Sequence, residues 1–301
     1  MRKVFIDTLC NLAQKDKRIW LLTADLGFSF LEKFAEKYPD RFVNIGVAEQ
    51  NMAGVAAGLA LSGNIVFMYS IANFPVFRCL EQIRNDICYH NANVKIVSVG
   101  AGMAYGSAGY THHGIEDIGV MRLLPNMTVV SPADPIETKF ATIAIAQHPG
   151  PCYLRLGKSN EPVLHQGLPH FELSKVIIVT EGSDITLIAS GTILKTAIEA
   201  AEQLKIQGYQ AEIISVPVIK PFDAETILKS AHKTGRVITI EEHGLGGLAT
   251  VVAETIVGMK CRFSPILIEQ CPITVAAGQQ KLREMHGLNV DSLLKTTKAM
   301  L

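Results

Sequence analysis

The sequence has few charged residues and no excess of either sign. Charged residues make up 19% of the 301 residues, and 28 acidic side chains balance 28 basic ones. A balanced chain lacks the basic surface that attracts nucleic acid or an anionic membrane. Because 48% of the residues are hydrophobic, the chain can bury a sizeable core and is not disordered. We therefore expect a folded protein that has neither nucleic acid nor a membrane as its partner.

The sequence also lacks the cysteine spacing of a metal site or a redox motif. Its six cysteines form no C-x-x-C pair, and most lie in apolar surroundings, as core cysteines do in a reducing compartment. The first residues have no apolar signal-peptide core. Residues 52–69 are apolar and long enough to suggest a membrane span, but Ser62, Gly63 and Asn64 interrupt them. These features predict a cytoplasmic protein.

Motifs of several enzyme classes are absent as well. No complete Walker A motif, H-E-x-x-H, EF-hand loop or G-x-S-x-G occurs. The glycines at residues 100–102 and 244–247 do not form a dinucleotide-binding pattern after a first strand and are typical of turns. Nucleotide binding, zinc proteolysis and hydrolase chemistry therefore have no support.

Helical and strand-like segments alternate along the chain. The spacing of apolar residues predicts helices at residues 4–14, 29–37 (with Ser29 as N-cap), 74–89, 134–147 and 193–205, and further helices that begin at Glu49 and near Gly247. Mostly apolar runs predict strands at residues 19–23, 42–44, 65–69, 94–99, 128–130, 152–155, 184–189, 211–216, 235–241 and 265–269. Because these runs are continuous rather than alternating, we expect an α/β fold with parallel sheet covered by helices on both faces.

The composition changes after residue 157. Residues 158–175 contain turns with His and Pro and no long periodic run, so we interpret them as a linker. The chain is thereby divided into a first domain at residues 1–157 and a smaller α/β domain at residues 176–301.

A single carboxylate precedes a long uncharged tract. Glu49 is followed by residues 50–77, which contain no Asp, Glu, Lys or Arg. Desolvation at the edge of such a tract disfavours the charged carboxylate, and a carboxyl group that shares a proton near neutral pH suits acid–base chemistry. Taken alone, the local sequence favours a simpler alternative, in which an exposed Glu49 begins a helix and is stabilised by the helix dipole.

Two further signals follow later strands. Phe74 and Phe77 stand one helical turn apart after the strand at residues 65–69, and His112 and His113 lie in a glycine-rich loop after the strand at residues 94–99. An aromatic pair at this spacing is more often core than ligand platform, and one histidine in such a loop is more often structural. The carboxyl ends of parallel strands nevertheless share one edge of a sheet. We therefore expect Glu49, the aromatic pair and the histidine loop to converge on one flat, weakly basic ligand.

In their order, several motifs resemble the C-terminal half of transketolases. They are TADL (residues 23–26), GVAEQNM (residues 46–52), YTHHG (residues 110–114) and SPAD (residues 131–134), continued by IEEH (residues 240–243) and two glycines at residues 246–247. The resemblance covers nearly the whole chain. It implies a subunit of a split transketolase, in which a parallel-sheet thiamine-diphosphate pyrimidine-binding domain precedes a smaller α/β transketolase C-terminal domain.

The resemblance implies a thiamine diphosphate cofactor and assigns roles to the candidate residues. Glu49 matches the glutamate that hydrogen-bonds N1′ of the aminopyrimidine and so favours the imino tautomer, which removes the proton from C2 of the thiazolium. Phe74 and Phe77 resemble the aromatic pair at the pyrimidine, and we favour Phe77 as the stacking ring. His112 matches the histidine that contacts substrate oxygens and assists proton transfer.

The substrate end of the predicted site follows the family pattern only in part. Asp25 and Ser29 match positions near the thiazolium and the substrate channel. Gly100 stands where typical transketolases carry a phosphate-binding histidine, and Ala108 stands where they carry an aspartate that reads the ketose. Lys158 replaces the usual arginine, which keeps the charge but not the bidentate fork. The expected reaction moves a two-carbon ketol unit from a ketose to an aldose, with phosphorylation of the sugars left open.

The sequence contains no Gly-Asp-Gly, the start of the family's diphosphate and metal motif. The resemblance therefore implies an N-terminal, diphosphate-binding partner subunit that holds most ligands of the Mg²⁺ or Ca²⁺ ion, in an α₂β₂ heterotetramer. We expect no metal ligands in this chain. Three alternatives remain open at this point: a β subunit of a 2-oxoacid dehydrogenase decarboxylase, a 1-deoxyxylulose-5-phosphate synthase-like enzyme, and a non-catalytic regulatory or scaffold subunit.

Overall fold

Two β-sheets organise the chain. A computed structural model describes residues 1–167, 171–269 and 271–301. Within these residues a seven-stranded sheet has the order β10-β5-β6-β4-β3-β1-β2, and a five-stranded sheet has the order β12-β11-β8-β9-β7. The strands are β1 (Ile19–Thr23), β2 (Phe42–Asn44), β3 (Ile65–Ile71), β4 (Val94–Val99), β5 (Thr128–Val130), β6 (Cys152–Leu156), β7 (Ile177–Thr180), β8 (Ile185–Ser190), β9 (Ala211–Ser215), β10 (Val218–Lys220), β11 (Arg236–Glu241) and β12 (Arg262–Ile266).

Helices connect the strands. They are α1 (Arg2–Lys15), α2 (Glu32–Lys37), α3 (Glu49–Leu61), α4 (Asn73–Phe77), α5 (Leu80–Gln82), α6 (Asp117–Leu123), α7 (Pro135–Gln147), α8 (Leu194–Ile206), α9 (Ala224–Thr234), α10 (Leu248–Ile256), α11 (Gln279–Met285) and α12 (Val290–Met300). The start of α7 shows how local sequence sets a boundary, since the Asp134 side chain accepts the Glu137 amide and Pro135 occupies the first turn. Within the described residues, no helix is both long and apolar enough to cross a bilayer.

The predicted α/β fold with parallel sheet is confirmed, with one antiparallel strand at an edge of each sheet. Strand β10 pairs antiparallel with β5, and β7 pairs antiparallel with β9. The central strands β4 and β8 are buried along their whole length. Strand β4 includes one charged residue, Lys95, whose ammonium donates to the His148 and Gly150 carbonyls. Strand β10 comes from the chain beyond the predicted linker, so this part of the second segment joins the first sheet. Residues 168–170 of the linker lie outside the described residues.

Three predicted elements differ from the structure. The helix predicted to begin at Ser29 begins at Glu32 instead, because Ser29 has a positive φ of 67° and caps nothing. The helix predicted for residues 74–89 breaks at Cys79, whose φ of −127° is not helical, and continues as α5 and a π-helical turn (Ile83–Cys88). The last strand lies at residues 262–266, earlier than predicted, where the edge of the sheet tolerates Pro265 and its missing N–H donor.

Candidate active site

The predicted site residues follow strands of the first sheet at its carboxyl edge. Asp25 follows β1, Glu49 follows β2, Phe74 lies in α4 after β3, His112 lies in the loop after β4, and Lys158 follows β6. Because β1, β2, β3, β4 and β6 run parallel, these positions share one edge of the sheet.

Glu49 is buried and has a counter-ion. It is the first residue of α3, and only 4% of its surface is exposed. Its Oε1 atom accepts a hydrogen bond from Nη1 of Arg78 at 2.7 Å. Arg78 is the first charged residue after the uncharged tract and remains 45% exposed. The burial expected for Glu49 is therefore observed, and its position at a helix start is observed too, but the ion pair was not predicted.

A row of side-chain contacts runs from Glu49 to Lys158. The Arg78 guanidinium lies over the Phe74 ring, 3.8 Å from its centroid. The Phe74 and His112 rings meet edge to face with 5.3 Å between centroids, and the His112 and Tyr105 centroids lie 5.9 Å apart. The Lys158 ammonium nitrogen lies 4.9 Å from the Tyr105 centroid. The convergence predicted from the strand ends is thus present for Glu49, Phe74 and His112, and Lys158 lies at the end of the same row.

Large apolar side chains stand exposed around this edge. The exposed fraction is 68% for Phe28, 74% for Val47, 46% for Phe77 and 41% for Tyr110, and we call these residues the apolar rim. Each follows a different strand of the first sheet. A group of exposed apolar side chains beside a buried carboxylate is typical of a surface that binds a ligand or a partner.

Asp25 and Ser29 occupy strained turns after β1. Both have positive φ values, 56° and 67° respectively, which are uncommon outside glycine. Asp25 exchanges two hydrogen bonds with Asn44, whose Oδ1 atom also accepts the Gly46 amide at 3.0 Å. Asp25 is therefore tied to the loop that precedes Glu49. The hydrogen bond of Ser29 is local, from its amide to Glu32.

The two departures from the family pattern have different surroundings. Gly100 has a φ of 96°, and a Cβ atom there would overlap the Tyr105 ring, so Tyr105 fills the space that a larger side chain would need. Ala108 is exposed and ends a 3₁₀ turn, Gly106–Ala108, whose first residue is buried. Burial raises the pKa of Tyr105, and the nearby Arg2 charge partly offsets this effect.

Sequence reasoning missed three residues of this region: Arg2, Arg78 and Tyr105. Arg2 lies in the first turn of α1, donates a hydrogen bond from Nε to the Lys158 carbonyl, and stacks its guanidinium over Phe30 at 3.9 Å. Helical spacing identifies α1 but gives no sign that its first turn reaches the carboxyl edge. For Arg78 a signal existed, since an isolated cation directly after an uncharged tract suits a buried carboxylate.

The residues present fit part of a thiamine diphosphate molecule. A buried carboxylate that can accept a hydrogen bond and an exposed aromatic side chain at the same edge suit the aminopyrimidine ring. Glu49, Phe77 and Phe74 are the side chains that would hold it. Among residues 1–167, 171–269 and 271–301, no group of three or more His, Cys, Asp or Glu side chains is arranged to hold a metal ion.

Comparison with known proteins identifies the family. Residues 1–163 match the transketolase pyrimidine-binding domain, and residues 174–293 match the transketolase C-terminal domain. An apulose-4-phosphate transketolase subunit from Phocaeicola vulgatus is 42% identical over 258 residues, which span 85% of this chain and 83% of the relative. The 6-deoxy-6-sulfo-D-fructose transketolase subunit SqwH of Clostridium sp. is 36% identical, over 98% of this chain and 92% of its own length.

A solved structure agrees with these matches. The structure of a split-gene transketolase, an inactive β4 tetramer, superposes with a TM-score of 0.89 at 36% identity, over 99% of this chain and 96% of that one. The prediction of a split-transketolase subunit is confirmed, in preference to the alternatives that the sequence left open. This chain belongs to the thiamine-diphosphate-dependent transketolase family, as a subunit that acts with a partner and carries the pyrimidine-binding and C-terminal domains.

Proposed function

We propose that this chain supplies the pyrimidine-binding and substrate-binding half of a split transketolase, with Glu49 as its central catalytic residue. The observation that carries the proposal is the buried Glu49 carboxylate at the sheet edge where the Phe77 ring is exposed. A carboxylate acceptor and an apolar ring surface together suit a flat, weakly basic ring. The reaction transfers a two-carbon ketol unit from a ketose to an aldose acceptor.

Each residue near the pyrimidine has one task in this proposal. Thiamine diphosphate, when bound, supplies the carbon nucleophile and the electron sink for two-carbon transfer. Glu49 holds a proton on the pyrimidine ring nitrogen, and its burial strengthens that hydrogen bond. Arg78, at 2.7 Å, fixes the orientation of the Glu49 carboxylate. Phe77 would stack on the pyrimidine, and Phe74, in the same helix, contacts Arg78 and His112.

His112 acts at the reacting end of the substrate. Its imidazole contacts substrate oxygens and moves protons, a task suited to a ring whose two nitrogens can donate and accept hydrogen bonds. The ring contacts of Phe74 and Tyr105 orient it from two sides. Asp25 and Ser29 lie toward the thiazolium and the substrate channel, where their turns hold exposed polar groups.

The substrate carries an anionic group at its far end. Lys158 is a half-buried cation beside Tyr105, and Arg2 contacts the carbonyl of the same lysine, so two cationic side chains stand at this side of the site. Cationic side chains bind phosphate or sulfonate oxygens through charge-assisted hydrogen bonds. The two relatives are named for apulose-4-phosphate and for 6-deoxy-6-sulfo-D-fructose, and both names include an anionic group.

The partner subunit supplies the diphosphate and metal ligands in an α₂β₂ assembly, with Mg²⁺ or Ca²⁺ held mainly by the partner. The apolar rim suits this arrangement, because an interface would cover side chains that are exposed in the single chain. The inactive β4 tetramer of the similar split-gene enzyme supports the need for a second kind of subunit. All six cysteines are free, and we propose a cytoplasmic location on that ground.

Reconstitution tests the proposed function. The chain is purified alone and together with a partner that carries the G-D-G motif, and ketol transfer is measured with phosphorylated and sulfonated ketoses. We expect activity only in the complex.

Glu49→Gln should lower kcat by about 100-fold or more, the scale of a lost acid–base group. Glu36→Gln, on the exposed face of α2, is the matched control and should leave kcat unchanged. Full activity of the chain alone, or of the Glu49→Gln complex, would refute the proposal.

A further inference from the structure

The loop that carries His112 is held by the C-terminal domain. We call residues 100–114, between β4 and α6, the His112 loop. Glu242, which directly follows β11, accepts a hydrogen bond from the Met103 amide at 2.8 Å through its Oε1 atom. Gly102 packs so closely against Glu242 that a Cβ atom there would overlap its side chain. The loop therefore turns around a carboxylate of the other domain.

The Glu242 carboxylate is itself fixed from the opposite side. It is 3% exposed, and α11 supplies its remaining partners. Gln279 donates to both carboxylate oxygens at 3.0 and 3.1 Å, and Arg283 donates from Nε at 3.0 Å. Arg283 is anchored in turn to the Thr192 hydroxyl at 2.8 Å. A carboxylate with this many charge-assisted partners has one orientation.

Two more contacts from outside the loop hold it further along. A Cβ atom on Gly106 would lie 2.6 Å from the Ala277 carbonyl oxygen, so backbone meets backbone there. Buried Arg155 donates to the Gly114 carbonyl at 2.5 Å and to the Glu242 carbonyl at 3.0 Å. The loop is thus fixed near residues 102–103, at residue 106 and at residue 114, on both sides of His112.

We propose that Glu242 is a positioning residue for the reaction and that it sets the place of the His112 imidazole through the His112 loop. Tyr105, which contacts His112, lies between the turn held by Glu242 and Gly106. Displacing a group in an active site by about 1 Å can lower the rate about 100-fold. This inference rests on the proposed role of His112. It gives the C-terminal domain a part in the reaction without a direct contact to substrate.

The test compares Glu242→Ala and Glu242→Gln in the complete complex with the partner. Amide hydrogen exchange of residues 100–114, kcat, KM and the affinity for thiamine diphosphate are measured. We expect Glu242→Ala to speed exchange in the loop and to lower kcat about 10- to 100-fold, with cofactor affinity within about 2-fold. Glu242→Gln keeps an acceptor for the Met103 amide and should recover most of kcat.

Glu254→Ala is the control, because Glu254 forms the exposed interdomain pair with Arg122 and does not touch the His112 loop. If Glu242→Ala does not fold, Gln279→Ala replaces it and should give smaller changes in the same direction. Unchanged loop exchange and kcat, with His112→Ala inactive, would overturn this inference and leave the proposed function intact. A loosened loop with His112→Ala fully active would instead remove His112 from the proposed function, and this inference with it.

Discussion

Arg78, at the break in the predicted helix at residues 74–89, forms an ion pair with Glu49 at the start of α3. The Nη1 and Oε1 atoms are 2.7 Å apart, Glu49 is buried, and Arg78 is about half exposed with its guanidinium over Phe74. The helix breaks at Cys79, directly after Arg78. One cation therefore orients the carboxylate and contacts the aromatic ring that touches His112.

This pair predicts a measurable coupling in stability. Arg78→Met leaves a buried carboxylate uncompensated and should lower the free energy of unfolding by about 1–3 kcal/mol, less than for a fully buried pair because Arg78 reaches solvent. In the double variant Arg78→Met/Glu49→Gln no charge is buried, so much of the loss should be recovered. Urea unfolding of the parent, the two single variants Arg78→Met and Glu49→Gln, and the double variant measures the coupling energy. The exposed Arg84→Met variant is the control. Additive losses would show that the pair contributes nothing.

Lys158 predicts a selective effect on substrate binding. Lys158→Ala should raise KM for a phosphorylated or sulfonated ketose about 10-fold, because a hydrogen bond to a charged group is lost. KM for a neutral ketose and the affinity for thiamine diphosphate should stay the same. Lys139→Ala, an exposed lysine on α7, serves as the matched variant. An unchanged KM for the anionic ketose would exclude Lys158 from the substrate site.

His243 predicts how stability depends on pH. Burial lowers the pKa of His243 to about 4, from an ordinary value near 6.5. Its Nε2 atom accepts the Gly119 amide at 3.3 Å, and its Nδ1 atom lies 2.8 Å from the Gly244 carbonyl, which suits a neutral ring that donates from Nδ1. Because the folded pKa is depressed, the unfolded chain binds the extra proton between pH 6.5 and about 4. Stability from this group is complete above pH 6.5 and is lost as the pH falls toward 4.

The measurement is thermal unfolding from pH 7 to pH 4 for the parent and for His243→Gln. Glu241, whose pKa burial raises to about 7, acts in the opposite direction over this range and is present in both proteins. The difference between the two proteins therefore isolates His243. The parent should lose up to about 3 kcal/mol more than the variant over this range. Parallel pH curves for the two proteins would contradict the prediction.

Local sequence was sufficient to predict the central strands and to identify the candidate site residues that follow them. Mostly apolar runs predicted β1, β3, β4 and β8, because a strand buried on both faces has mainly apolar side chains on both. The shared edge of parallel strands then predicted that Glu49, Phe74 and His112 would converge. The uncharged tract predicted the burial of Glu49, because a carboxylate beside a long apolar stretch of chain is shielded from water by it.

Tertiary structure alone decided the hydrogen-bond and ion-pair partners of these groups. The Glu49–Arg78 pair depends on where a helix breaks, and the Tyr105 ring in the space beside Gly100 depends on how a loop folds back. The hydrogen bond from the Met103 amide to Glu242 links residues 139 positions apart in the sequence, and no periodic pattern predicts a contact over that separation. Periodicity reports which face of an element is buried, whereas a hydrogen bond needs two atoms placed within a few tenths of an ångström by the packing of both domains. For this chain, the sequence therefore determined the fold and the candidate residues, and the packing of the two domains determined their partners.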